Sequence, residues 1–450
     1  MSELAIFGGP KAVTASREAT HELFLWPIVT KEDEDAILDV LHRRAMSGTD
    51  VARAFEEDFC KWTGSKYALG FNNGTASLQG ALYGCGVRRG DEVICPTVTY
   101  WASAAPVLSL GATPVFANVE PDTLCLDPED IEHRIGPKTK AIMVVHYLGY
   151  PADMDRIMPI AEKYGLKVIE DVSHAQGGMY KGKMVGTIGH VGAMSLMSGK
   201  SFATGEAGML ITDDKDILDH AKALGHYEIF NKENGLTAED LLPYASLPLG
   251  GYKYRMHQMS AAMGRVQIKY YDERCAEIRK AMNYFWDLLE GVPGLRAHRV
   301  DEKATGSTMG GWYEAHGLYV PEELGGLSVS RFVEALNVEL DGAFISAGGA
   351  NMPLHTHGMF QTADIYGDGK PTRIAFASRD VREMDASLYA GVELQSRMIR
   401  VPWFKHYTPE LIEQFANAFK KVAYNYQELL EGDKGNPPEL GGWNFFKQHK

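Results

Sequence analysis

Between about residues 66 and 212, short apolar runs with strand character alternate with helical stretches. Tyr67–Phe71, Glu92–Cys95, Pro114–Ala117, Ala141–Val145, Lys167–Glu170 and Met209–Thr212 read as strands, and Ala76–Tyr83, Trp101–Leu110 and Met154–Tyr164 as helices. Strands separated by helices predict a mostly parallel sheet covered on both faces, with ligands bound beyond the carboxyl ends of its strands. From about 225 to 250 the pattern is lost in an irregular segment with Gly235, Pro243 and Pro248, a long loop. Helical spacing returns from Met256 to about Leu289 through Met259, Ala262, Met263, Val266, Tyr270, Ile278 and Met282. Gly291 and Pro293 then interrupt the chain, and Ser330–Leu340 and Pro409–Leu430 read as helices of a second domain. The expected division is an N-terminal arm and large domain over 1–285, a small C-terminal domain over 286–431, and a tail over 432–450 carrying Trp443, Phe445 and Phe446.

Composition narrows the class. The 450 residues are 45% hydrophobic and 23% charged, as in a soluble globular protein with a sizeable core. A net charge of −14, from 45 basic and 59 acidic residues, leaves a nucleic-acid surface working against an acidic background. Five cysteines, at 60, 85, 95, 125 and 275, show no C-x-x-C spacing and read as buried small hydrophobes in a reducing compartment. The N-terminus lacks a basic region followed by an apolar stretch, and no run is apolar enough to span a bilayer, so a cytoplasmic protein is expected.

Three segments carry candidate chemistry. Asn73-Gly74-Thr75-Ala76 follows a strand and opens a helix, where free N–H groups and the helix dipole suit a phosphate; a plain N-cap by Thr75 is the competing explanation. Val168-Ile169-Glu170-Asp171 is an apolar strand ending in two acids, followed by Ser173 and His174. A carboxylate there needs a partner: a protonated pyridine nitrogen, a metal, an arginine or a structural ion pair. Ser195-Leu196-Met197-Ser198-Gly199-Lys200-Ser201 places a lysine in a Gly- and Ser-rich loop, where partial desolvation would make it a Schiff-base former; a solvated loop lysine is the alternative. The P-loop pattern fails, because its first glycine would fall on Met194, and Gly84-x-Gly86 fails as a dinucleotide fingerprint, because position 89 is Arg. His355-x-His357, with His406 further on, lacks a clear carboxylate partner, and no metal site is expected there.

The order of these segments is the informative feature. A phosphate loop, the aromatic group Thr99-Tyr100-Trp101, a strand-end Asp171 and then Lys200 are the parts needed to hold pyridoxal 5'-phosphate on a large α/β domain. The sequence resembles the DegT/StrS family of sugar and cyclitol aminotransferases from Leu4 to about Tyr426. The likeness rests on Gly90-Asp91-Glu92-Val93-Ile94, Gly111-Ala112-Thr113-Pro114-Val115-Phe116, Glu170-Asp171-Val172-Ser173-His174-Ala175, Lys200 with Thr204-Gly205-Glu206, and Tyr254-Arg255-Met256 with Ala261-Ala262.

That resemblance implies fold type I of the pyridoxal-phosphate enzymes: a mostly parallel seven-stranded sheet flanked by helices, a smaller C-terminal α+β domain, and a homodimer with shared active sites. It implies that Lys200 forms the Schiff base and then shuttles the proton, that Asp171 pairs with the pyridinium, and that His174 lies beside the phenolic oxygen. Tyr100 matches the stacking aromatic; Gly74, Thr75 and Ser195 match the phosphate ligands. Lys253 stands where many relatives send an Asn from the neighbouring subunit to the phosphate, and His355 falls near the substrate opening. The implied reaction is a two-stage, ping-pong transfer of an amino group from glutamate or glutamine to a keto-cyclitol or keto-sugar. Lys253 and Val401-Pro402-Trp403-Phe404-Lys405 lean toward a scyllo-inosose-like acceptor. The alternatives are a dehydratase of the same family, in which His replaces the lysine, and a non-catalytic regulatory protein on the same scaffold. No nucleic-acid or membrane partner is implied.

Overall fold

The computed structural model describes residues 3–340, 345–389, 392–438 and 440. The tail aromatics Trp443, Phe445 and Phe446 lie outside them. Seven strands form the main sheet: β1 (Tyr67–Phe71), β2 (Glu92–Pro96), β3 (Thr113–Ala117), β4 (Thr139–Val145), β5 (Lys167–Asp171), β6 (Val191–Ser195) and β7 (Gly208–Thr212), in the order β1-β7-β6-β5-β4-β2-β3. The β3–β2–β4–β5–β6 ladder is parallel throughout, and β7 runs against both its neighbours. Helices cover both faces, so the central strands are apolar on both sides; Val93, Ile94, Ile142–Val144 and Val168–Ile169 are buried.

Six of these strands follow from the hydrophobic pattern and β6 does not. Its Val-Gly-Ala-Met-Ser run lacks β-branched alternation because the backbone of Gly186 packs against it. A Cβ on Gly192 would come within 2.4 Å of the Gly186 carbonyl. The helix expected over Trp101–Leu110 is a correction. It divides into a 3-10 turn, Trp101–Ser103, and a short helix, Ala105–Ser109, which restarts with Pro106 in its first turn. Helix α1 (Gly74–Gly84) follows β1, and α2 (Met154–Tyr164) lies between β4 and β5.

Strand β5 separates its two terminal acids, since consecutive side chains point to opposite faces. Glu170 turns into the protein, where one oxygen accepts from His146 Nε2 (2.9 Å) and Gly186 N (2.7 Å), and the other from Ile188 N (2.8 Å) and Gly189 N (2.5 Å). His146 Nδ1 accepts from Ala152 N at 3.0 Å, so Nε2 carries the proton that Glu170 receives. Burial pushes the Glu170 carboxyl up, but His146 and the backbone donors outweigh it and hold it below the usual range. Glu170 is therefore the structural acid of the pair. Glu170→Ala leaves one buried and two partly buried amides and a buried imidazole without their acceptor and is expected to cost about 3–5 kcal/mol, measured by urea unfolding.

A 31-residue helix, α3 (Gln258–Leu288), joins two hydrophobic clusters. Its Ala261, Tyr271 and Cys275 pack with the main sheet, and its Ile278, Met282, Phe285 and Trp286 pack in a second cluster. That second cluster is built on a three-stranded antiparallel sheet, β8 (Leu295–Ala297), β9 (His316–Tyr319) and β10 (Met398–Arg400). Helices α4 (Val329–Glu339) and α5 (Pro409–Tyr424) cover it, and the stretch expected to remain helical to Leu430 breaks into a separate turn, Gln427–Leu430. Leu4, Val13 and Leu23 of the N-terminal segment belong to this second cluster, and Glu339 accepts from Ala5 N (2.7 Å), Ala12 N (2.9 Å) and Lys421 Nζ (2.9 Å).

The described part of the tail is anchored. Asp433 accepts from Ser328 N (2.8 Å) and Ser328 Oγ (2.6 Å), and Leu440 joins the second cluster. The irregular 225–250 segment forms three 3-10 turns over its own small core of Phe230, Leu236 and Leu241, leaving Tyr244, Leu247 and Leu249 exposed. Four cysteines are buried as expected; Cys60 is only partly so.

Candidate active site

The carboxyl ends of β1, β2, β4, β5 and β6 converge, and the loops leaving them carry most of the chemistry expected from the sequence. At β1, Asn73 and not Thr75 caps α1: Asn73 Oδ1 accepts from Ala76 N at 2.8 Å. Gly74 and Thr75 open the helix, and their amides precede any intrahelical acceptor. Gly74 is pressed against β6, where a Cβ would sit 2.5 Å from the Ser195 Cβ, and a Cβ on Gly208 would meet the Asn73 carbonyl at 2.3 Å. A helix N-terminus is thereby held beside the Ser195 hydroxyl, an arrangement suited to a phosphate. Ser195 is itself fixed on both sides, its N–H donating to Ser173 Oγ (3.0 Å) and its carbonyl accepting from Gln176 Nε2 (2.8 Å).

Asp171 faces this region from the end of β5 and is 4% exposed. Ser103 Oγ donates to its Oδ2 at 2.8 Å and Ser173 N to its Oδ1 at 3.0 Å, which leaves each oxygen further capacity to accept. His174 is buried beside it, ring centroids 5.4 Å from Tyr147 and 4.7 Å from Tyr313. Burial, then the charge of Lys200, holds its pKa well below the usual histidine value, so it is neutral. Leu148 N donates to its Nδ1 at 3.3 Å, and the proton therefore sits on Nε2.

Lys200 is 7% exposed, not a solvated loop lysine. Its Nζ lies 3.8 Å from the centroid of the Tyr313 ring, and Trp26 Nε1 donates to its carbonyl at 3.0 Å. Burial pulls its pKa down to about 8, against the opposing pull of the Asp171 and Glu314 carboxylates. An amine at that value is part neutral near physiological pH and can both accept and return a proton.

Tyr313 arrives from the second cluster on an unusual turn. Trp312 and Glu314, on either side of it, have φ of +57° and +54°, a region that bulky side chains rarely adopt. The turn sits so close to the Lys200 loop that a Cβ on Gly311 would fall 2.1 Å from the Ser201 Cβ. Trp403 Nε1 donates to the Gly311 carbonyl at 3.1 Å. Ser201 Oγ in turn donates to Gln176 Oε1 at 2.7 Å, so Gln176 ties the Lys200 loop to Ser195.

Tyr100 is 38% exposed, its ring 4.9 Å from Trp101, and its phenol interacts electrostatically with that of Tyr313. His355 Nδ1 pairs with Thr97 Oγ1 at 2.5 Å, just past the carboxyl end of β2, while His357 Nδ1 accepts from Met359 N. Lys253 lies on an exposed stretch, its Nζ 5.8 Å from the Tyr227 ring. Ser103, Gln176, Tyr313, Glu314 and Trp26 were not singled out by the sequence. Ser103, two residues after Trp101, and Gln176, the residue after Ala175, sat next to motifs that would have suggested them.

The donor set matches pyridoxal phosphate. Gly74, Thr75 and Ser195 are brought together where they could hold its phosphate, so close that no Cβ fits at Gly74. Asp171 offers a carboxylate with free acceptor capacity to a pyridinium nitrogen, His174 an Nε2–H to a phenolic oxygen, and Lys200 a partly neutral amine to an aldehyde.

The DegT/DnrJ/EryC1/StrS aminotransferase family model matches residues 27–381. L-Glutamine:2-deoxy-scyllo-inosose aminotransferase of Micromonospora echinospora is 31% identical over 443 residues, covering 95% of this chain and 100% of that protein. The spore coat polysaccharide biosynthesis protein SpsC of Bacillus subtilis is 32% identical over 335 residues, or 74% of this chain and 84% of that one. The crystal structure of an aminotransferase from Psychrobacter cryohalolentis superposes with a TM-score of 0.75 at 30% identity, covering 90% of this chain and 100% of the other. The chain therefore belongs to the DegT/DnrJ/EryC1/StrS aminotransferase family and is a pyridoxal-phosphate-dependent transaminase.

Proposed function

We propose that this enzyme moves an amino group from glutamate or glutamine to a keto-cyclitol of the scyllo-inosose type, in two successive half-reactions at one site. The observation that carries the chemistry is the Lys200 amine, buried against the Tyr313 ring, subject to the charge of Asp171 and lowered to about 8. The choice of acceptor is supported by the end-to-end similarity to an inosose aminotransferase, compared with a shorter match to the polysaccharide-pathway relative.

The bound cofactor supplies an electron sink that acidifies the proton next to the amino group. With that group bound, the Lys200 amine would take that proton and return it one carbon away. Asp171 would keep the pyridine nitrogen protonated, while Ser103 and Ser173 hold the carboxylate in one orientation. Gly74, Thr75 and Ser195 would anchor the phosphate, and the Tyr313 ring covers the lysine. The reading includes a cytoplasmic homodimer in which Lys253 of one chain reaches the phosphate bound to the other. The exposed Tyr244, Leu247, Leu249 and Tyr252 beside it support a contact there.

The test is spectroscopic. Glutamate or glutamine should bleach the yellow colour of the purified enzyme, and a keto-cyclitol should restore it where nucleotide-linked keto-sugars do not. A spectrum unmoved by every amino donor would remove the transaminase reading, and restoration by nucleotide-linked sugars alone would transfer the enzyme to the sugar branch.

A further inference from the structure

We propose that Glu314 is a positioning residue for the Lys200 amine: a second carboxylate, partly held by Arg400, that governs how readily this amine releases its proton. The inference deepens the reading of Lys200 as the proton carrier and rests on it. The proposal starts from the turn that seats Tyr313. Its two flanking residues are held in a sparsely populated backbone conformation, and such strain persists only where the surroundings impose it, most often at functional sites. Here the turn also leaves the buried Trp312 indole N–H without an acceptor. The conformation places Tyr313 on the Lys200 ammonium and turns Glu314 toward a group of cations.

Glu314 Oε2 is 3.3 Å from an Arg400 guanidinium nitrogen, and Arg400 ends strand β10 opposite His316 of β9. The Glu314 carbonyl accepts from His316 Nδ1 at 2.6 Å, which fixes the backbone of the turn. Lys405, itself buried, stands 2.9 Å from the Trp403 ring centroid, and that ring packs edge-on to Tyr313 at 5.5 Å. Glu314 thus adjoins in the chain the ring that covers Lys200 and is ion-paired with Arg400, a placement from which its charge reaches Lys200 and Lys405 through space.

The groups facing Lys200 can be stated element by element. Asp171 comes from β5 and His174 from the turn after it; Tyr313 and Glu314 come from the strained turn, with His316 of β9 and Arg400 of β10 behind them. Both histidines are held neutral by burial, His316 at about 4. The negative charges that bear on the amine are then Asp171 and Glu314. Both favour the ammonium, against a burial that favours the amine. Arg400 reduces the influence of Glu314 and so works in the opposite direction.

The two variants Glu314→Gln and Arg400→Gln therefore have opposite expected signs. The experiment labels the full-length, cofactor-free enzyme with acetic anhydride across pH and quantifies the Lys200 peptide by mass spectrometry. The wild-type profile is expected to be half-maximal near pH 8. Glu314→Gln should move the profile to lower pH and speed labelling at pH 7 by about two- to tenfold, and Arg400→Gln should move it to higher pH and slow labelling by a similar factor, one pH unit being tenfold. Arg400→Lys, which keeps the charge, should restore the wild-type profile. A purely structural role would shift both variants in the same direction. That result, or two unmoved profiles, overturns the proposal. The labelling does not depend on turnover: opposite shifts in an enzyme whose cofactor spectrum no amino donor alters would uphold the inference while removing the transaminase reading.

Discussion

Lys200→Ala is expected to abolish amino transfer, with a loss of at least roughly 10⁴-fold, because one side chain serves as both nucleophile and acid–base group. The structure explains why nothing nearby substitutes for it. His174 is neutral with Nδ1 already accepting from Leu148 N, and Lys405 is turned onto the Trp403 ring. Lys200→Arg should fail almost as completely. It keeps the positive charge and comparable reach, but a guanidinium does not deprotonate at any working pH and cannot act as a base. The pair of variants separates charge from proton transfer. Single-turnover bleaching with glutamine is the measurement, with circular dichroism to establish that both variants fold; Lys200→Arg retaining activity within tenfold of wild type would remove the proton-shuttle role.

Asp171→Asn has the second largest expected effect, about 3–5 kcal/mol if the pyridinium loses its buried counter-charge, or roughly 10² to 10⁴ in kcat/KM. Asparagine suits the surroundings. Its oxygen can accept from Ser173 N, and its amide can donate to Ser103 once that hydroxyl rotates, so shape and hydrogen bonds are kept and only the charge is lost. Asp171 also favours the protonated form of Lys200. In the cofactor-free enzyme, then, Asp171→Asn should lower the pH at which the Lys200 amine becomes reactive from its value near 8, the same direction as Glu314→Gln. A variant with normal kcat/KM and an unmoved labelling profile would show that Asp171 is only structural.

The sequence was most informative where function and local structure share a cause. A lysine after a Gly- and Ser-rich stretch, an acid ending an apolar strand, and a glycine opening a helix each satisfy a local rule, and their order suggested the cofactor. Local rules did not say which of two adjacent acids faced it. The alternation along β5 assigns Glu170 to His146 and Asp171 to the site, and that could be read only once the faces of the sheet were known. The competing explanation they offered for that glycine, an N-cap by Thr75, falls on the wrong residue: Asn73 and Thr75 are both acceptable caps, and only the start of the helix distinguishes them.

By itself, then, the sequence determined the alternating α/β order, the strand end that carries Asp171, the helix start at Gly74, the Gly- and Ser-rich loop that carries Lys200, and the family to which the chain belongs, all consequences of short-range patterning. Only the tertiary structure decided what surrounds Lys200. Tyr313 and Glu314 are more than a hundred residues away, on a turn with no periodicity and a conformation that no propensity favours. Their effect on the amine comes from burial and charge at close range, and these exist only after the second cluster has packed against the ends of the main sheet.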